Sequence, residues 1–125
     1  MRRIFAAALI LLAGVHAAAA DTYPSRTVKL LCWTSAGAPL DVMMRQLGKQ
    51  LADIFKQTVV VENRAGGSGV AAMATLMNQP SDGYSILSTT SSMSFTMATG
   101  RIAFGPEQFT VLPAIQAEPS AGAPW

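Results

Sequence analysis

One cysteine and one histidine stand in 125 residues, and only 13% of the chain is charged. A single thiol excludes an intrachain disulfide and a multi-cysteine zinc site. The formal charge of +2 is too small to point to nucleic acid, which needs clustered Lys/Arg to displace counterions from phosphates. No nucleic-acid partner is therefore expected. Scarce charge combined with 50% hydrophobic residues also excludes intrinsic disorder, since such a chain has enough apolar surface to bury.

The charge is unevenly placed. Arg2 and Arg3 precede twelve uninterrupted apolar residues, 4–15, and Ala17 to Ala20 supply small residues before Asp21. This three-part pattern predicts a cleavable secretory leader over residues 1–20. Its apolar core is shorter than the roughly 20 residues that span a bilayer. Removing the leader leaves 105 residues carrying seven basic and seven acidic side chains, and it removes His16. Without histidine the remainder has no Ser-His-Asp or Cys-His nucleophilic system and no imidazole ligand, so binding is expected rather than catalysis. Cys32 lies in the apolar run Leu30-Leu31-Cys32-Trp33 and reads as a buried, inert thiol.

The 105 residues alternate strand and helix. Residues 28–33 are almost continuously apolar, the pattern of a strand covered on both faces. Leu40, Met43, Met44, Leu47, Leu51, Ile54 and Phe55 then recur at helical spacing. Pro39 suits the first helical position, and Asp41 sits in the first turn, where the dipole favours a carboxylate. Residues 58–62 (TVVVE) predict a second strand. After a glycine-rich loop, Val70, Met73, Ala74 and Met77 predict a shorter helix ending near Pro80. The turn Ser81-Asp82-Gly83 precedes a third strand over 84–88. Residues 89–94 are a Ser/Thr-rich connection, and 111–115 suggest a fourth, weaker strand. β-α-β-α-β in this span implies an α/β fold with a parallel sheet and helices on both faces.

Ligands of open parallel sheets bind beyond the carboxyl ends of the strands. Three small, hydroxyl-rich segments fall there: Thr34-Ser35-Ala36-Gly37-Ala38 with Asp41, Arg64-Ala65-Gly66-Gly67-Ser68-Gly69, and Thr89-Thr90-Ser91-Ser92. Backbone N–H groups in such loops approach an anion closely, so the three together predict a cleft for a small polar or anionic molecule. Asp41 is open to three roles: hydrogen-bonding a ligand, capping its own helix, or repelling an anion. Arg64 is equally suited to a carboxylate ligand or to an ion pair with Glu62. Residues 67–72 (GSGVAA) also match the dinucleotide pattern G-x-G-x-x-A. The polar insert Asn63-Arg64-Ala65-Gly66 and the lack of an acid at the end of the third strand argue against that use, and no cofactor is expected.

Four motifs occur in order: Tyr23-Pro24-Ser25-Arg26, Gly37-x-x-x-Asp41, Val60-Val61-Glu62-Asn63-Arg64 with its glycine-rich loop, and Ser81-Asp82-Gly83-Tyr84. Together, over roughly residues 23–115, the chain resembles the N-terminal part of the Bug family, the extracytoplasmic solute-binding receptors of tripartite tricarboxylate transporters. Trp33-Thr34, Ala38 and Ala65 depart from the family's usual residues. The resemblance implies a two-lobed, type II periplasmic-binding-protein-like fold that closes on small organic acids such as di- and tricarboxylates. It further implies delivery of the small carboxylate solute to membrane permease subunits. It carries the ligand contacts over to Ser35, Ala36, Gly37 and Asp41, to Gly66 through Gly69, and to Thr89 through Ser91. The length suits a partial N-terminal lobe over 21–117 and an irregular tail over 118–125. A non-functional remnant of such a receptor and a small dinucleotide-binding domain are the alternatives.

Overall fold

The computed structural model describes residues 22–99 and 105–115; the leader and the tail expected over 118–125 lie outside them. Three parallel strands form one sheet in the order β2-β1-β3, with β1 at Val28–Cys32, β2 at Val59–Asn63 and β3 at Ser85–Leu87. The first strand is the central one. Val28 pairs with Val59, and Leu30 lies between Val61 and Ile86. Burial of Val28, Leu30, Leu31 and Cys32 fits a strand covered on both faces.

Helix α1 (Pro39–Phe55) connects β1 to β2, and α2 (Val70–Met77) connects β2 to β3. The chain runs from the central β1 to the edge strand β2, then back across β1 to the opposite edge, β3. Right-handed crossovers therefore place the helices on opposite faces. On the α1 face, Leu30, Cys32 and Met44 are the buried centre, with Leu40, Met43, Leu47, Leu51, Val59, Val61 and Ile86 packed around them. Helix α2 covers β3 and β1 and contributes the buried Ala72 and Met73.

Gly48 lies inside α1, buried against the sheet. A Cβ there would sit 3.6 Å from Leu30 Cδ1 and from Val59 Cγ1, an ordinary contact distance. Gly48→Ala is therefore expected to stabilise the domain by about 0.5–1 kcal/mol, the helical cost of glycine. Chemical denaturation checks this; a fall in stability would show that the α1–sheet gap is tighter than its geometry.

Two expectations need correction. Residues 89–94, read as a connection, run into a helix α3 (Ser91–Ala98) that buries Met93 and Thr96. Residues 111–115 form no strand: Val111, Leu112 and Ile115 are exposed, and Pro113 has no N–H for a ladder.

The four sequence motifs meet in two pairs. At the amino edge of the sheet, Tyr23 donates its hydroxyl to Gly83 O (2.7 Å), and Ser25 N–H donates to Tyr84 Oη (2.8 Å). Arg26 pairs with Asp82 while its guanidinium lies 3.9 Å from the Tyr84 ring centre. The Tyr23 ring packs edge-on against Tyr84 and Phe55. This end of the molecule is a clamp. The other pair meets at the opposite edge.

Candidate functional site

At the carboxyl edge the chain leaves β1 toward one face and β3 toward the other, which opens a crevice between their loops. The walls of that crevice are fixed from below by one carboxylate. Asp41, in the first turn of α1, is only 2% exposed. Its Oδ2 accepts the Gly37 N–H (2.8 Å) and Arg45 Nε (3.0 Å), while Oδ1 accepts Asn63 Nδ2 (2.8 Å). Asn63 also donates to Thr34 O (3.0 Å), and Arg45 reaches back to Asn63 Oδ1 (3.2 Å). The loop after β1, the end of β2 and the start of α1 thus share one network. Hydrogen bonding from Arg45, then from Gly37 and Asn63, holds the Asp41 carboxyl down at about 2, from an ordinary 3.8. The same pair raises Arg45.

Asp41 therefore positions the loop: both of its oxygens are engaged within the chain. The N-cap residue, Ala38, has no side-chain acceptor to offer, and the Asp41 carboxylate reaches back one residue further to Gly37 instead. Arg64 pairs with Glu62 (3.1 Å), which Lys29 also approaches (3.4 Å). Of its two possible roles, the ion pair is the one formed.

Gly67–Gly69 is a single 3-10 turn entering α2. Gly66, Gly67, Ser68 and Gly69 all have positive φ (139°, 56°, 53° and 97°), so the turn lies in left-handed backbone space that suits glycine at three of its four places. Gly66 O accepts the N–H groups of Gly69 and Ala71. Gly69 is buried against α3, where its α-carbon faces Met93. In the third segment, Ser88 N–H donates to Leu31 O, extending the sheet by one bond. Thr89 and Ser91 are exposed, and Thr90 precedes α3 with its hydroxyl 3.0 Å from Ser92 Oγ.

A cleft of about 520 Å³ lies among these elements. Trp33 lines it from the end of β1, Gly67, Ser68 and Val70 from the turn and α2, and Ser92, Phe95, Thr96 and Thr99 from α3. Of the three segments expected to form a site, Gly67, Ser68 and Ser92 line this cleft. Ser35, Ala36 and Gly37 stand exposed on the first loop, and Gly66, Thr89 and Ser91 are also exposed nearby. Trp33, Phe95 and Thr96 are additions that the loop motifs do not reveal. Trp33 reads from the sequence as the last residue of a strand, and the other two belong to α3. The signal that points to them is Met93 with Thr96 and Met97 at helical spacing behind a Thr/Ser start. Among the described residues no cluster of three His, Cys, Asp or Glu could hold a metal ion.

The family model described as "Tripartite tricarboxylate transporter family receptor" (TctC) matches residues 43–117. The chain belongs to this receptor family. Protein BugT of Bordetella pertussis is 39% identical over 95 residues, 74% of this chain and 29% of that protein. A UPF0065 protein of the same organism is 36% identical over 98 residues, with 78% and 29% coverage. Among solved structures, a TctC solute-binding protein from Polaromonas superposes with a TM-score of 0.65 at 27% identity, over 69% of this chain and 30% of that one. R. palustris Rpa4515, solved with adipate, gives a TM-score of 0.50 at 31% identity, over 52% and 22%. The chain thus spans about 29% of the length of these two curated relatives. The α/β sheet with its β-α-β-α-β start is part of one lobe of that receptor fold.

Proposed function

We propose that this segment is the ligand-facing part of an extracytoplasmic solute-binding receptor. It takes small organic acids, di- and tricarboxylates among them, and passes them to the permease subunits of a tripartite tricarboxylate transporter. The observation that supports the reading is the cleft at the carboxyl edge of a parallel sheet, lined by Trp33, the Gly67-Ser68 turn and α3, beside a first loop held by Asp41. Residues 1–20 serve as the export leader, 21–117 as part of the first lobe and 118–125 as a tail. The ligand is met by Ser35, Ala36 and Gly37, by Gly66 through Gly69 and by Thr89 through Ser91, with Asp41 acting through Gly37 and Asn63. The Gly67-Ser68 turn stands at the α2 entry, the end of the helix dipole that favours a carboxylate. Binding, with no bond made or broken, is the whole of its chemistry.

Small-ligand sites are tight when most of the ligand surface is enclosed, and one sheet edge encloses only one side. Calorimetric titration with succinate and citrate tests this on the chain and on a full-length relative. The relative is expected to bind at least about tenfold more tightly, equivalent to about 1.4 kcal/mol. No binding by either protein would sink the receptor reading; equal affinity would remove the need for a second lobe.

A further inference from the structure

Strand β2 is an outer strand of the sheet, and among the described residues it pairs with β1 alone. The ladder shows which of its backbone groups point away from β1. Thr58 O accepts the Val28 N–H (3.0 Å), and the Arg64 N–H donates to Cys32 O (2.7 Å). With Val28 opposite Val59 in a parallel pair, Thr58, Val60, Glu62 and Arg64 turn toward β1. The N–H and C=O groups of Val59, Val61 and Asn63 therefore turn outward, along the open flank of the sheet.

A groove of about 390 Å³ follows this flank, with Val59, Val60 and Val61 on its sheet side. Val60 is 40% exposed. On the α1 side, Gly48 and Ala52 are too small to fill the groove, and Arg45 and Lys49 bring positive charge to it. Arg45 is shared with Asp41, while Lys49 stands exposed one turn further along the helix.

We propose that this flank is a docking site for an extended, carboxylate-bearing segment of another protein, added to the sheet as a further strand beside β2. Its main chain takes up the outward-facing groups of Val59, Val61 and Asn63. Alternate side chains of the added strand face the α1 side, where Arg45 and Lys49 meet acidic ones. The competing occupant is a second copy of this chain. Antiparallel pairing of β2 with itself keeps both α1 helices on one side of the joined sheet, so Arg45 and Lys49 would face their own counterparts. Like charges placed in this way guard an edge against self-pairing and leave it open to an acidic strand.

The test uses acetylated peptides of about eight residues, one alternating valine with glutamate and the other valine with lysine. Each is titrated at low ionic strength into the chain and into Lys49→Glu. Calorimetry is expected to show the glutamate peptide binding the unaltered chain about tenfold more tightly than the lysine peptide. Amide hydrogen exchange is expected to slow at Val59, Val61 and Asn63 and to stay unchanged at Val60 and Glu62, which already face β1. Lys49 is exposed, so its reversal leaves the fold intact and is expected to abolish the preference. Equal affinity for the peptides, no binding of either, or binding without that alternating protection overturns the proposal. So does a preference that survives Lys49→Glu. A dimer that protects the same amides in the absence of peptide, seen by sedimentation, overturns it in favour of a second copy.

Discussion

Gly69→Ala destabilises the domain by roughly 2–5 kcal/mol, the sum of a backbone cost and a packing cost. Gly69 has φ +97°, where side chains other than glycine's hydrogen are strained. A Cβ would also stand 2.9 Å from Met93 Cε and 3.0 Å from Met93 Cγ. The far end of a methionine can usually swing aside, but Met93 is fully buried and its Cγ is close to the backbone it leaves. The turn and α3 would have to separate, which displaces Ser68 and Ser92 on the same cleft. Urea unfolding measures the loss. A change under about 0.5 kcal/mol would mean that Met93 repacks freely and that the turn is not braced by α3.

Asp41→Asn lowers the thermal midpoint by roughly 5–15 °C at neutral pH, as expected for breaking a buried hydrogen-bond network in a domain of this size. The amide can still accept one bond, but its NH2 faces groups that themselves donate, Arg45 or Asn63. The pH dependence has a definite sign. The folded carboxyl titrates near 2, below its ordinary 3.8, so its stabilisation is complete above about 4 and is lost as the pH falls through 2. The unaltered chain therefore loses stability between about pH 4 and pH 2 more steeply than the Asp41→Asn variant does. Thermal melts at roughly pH 7, 4 and 2.5 provide the comparison; parallel curves would show that Asp41 is not the group responsible.

Periodicity makes most of the fold legible. The α1 stripe from Leu40 to Phe55, closed by Pro39 at its start, leaves no other reading, and TVVVE is strongly β-prone. Helix α3 is hidden because Ser91, Ser92, Thr96 and Thr99 prefer caps and turns when judged locally. Burial of Met93 against Gly69 supplies what local preference lacks. The run over 111–115 misleads for the opposite reason: its residues are β-prone, yet propensity needs a neighbouring strand to act on. In the site, sequence order brings the three loops to one edge but does not separate residues that brace from residues that face the cleft. Asp41 and Trp33 show the difference. A carboxylate in a loop motif resembles a ligand contact and is consumed by Gly37, Arg45 and Asn63, while an apolar tryptophan ends in the wall of the cleft.

The amino-edge clamp has a kinetic consequence. Tyr23 meets Gly83 across 60 residues of chain, and its neighbour β1 is the strand that pairs with both others. Closing that long span costs entropy before Tyr84, Asp82 and Gly83 return any of it, which favours slower pairing of β3 than of β2. Until β3 pairs, Lys29, Leu30 and Leu31 present an unpaired, largely apolar edge, which is where a chaperone would find the most to hold.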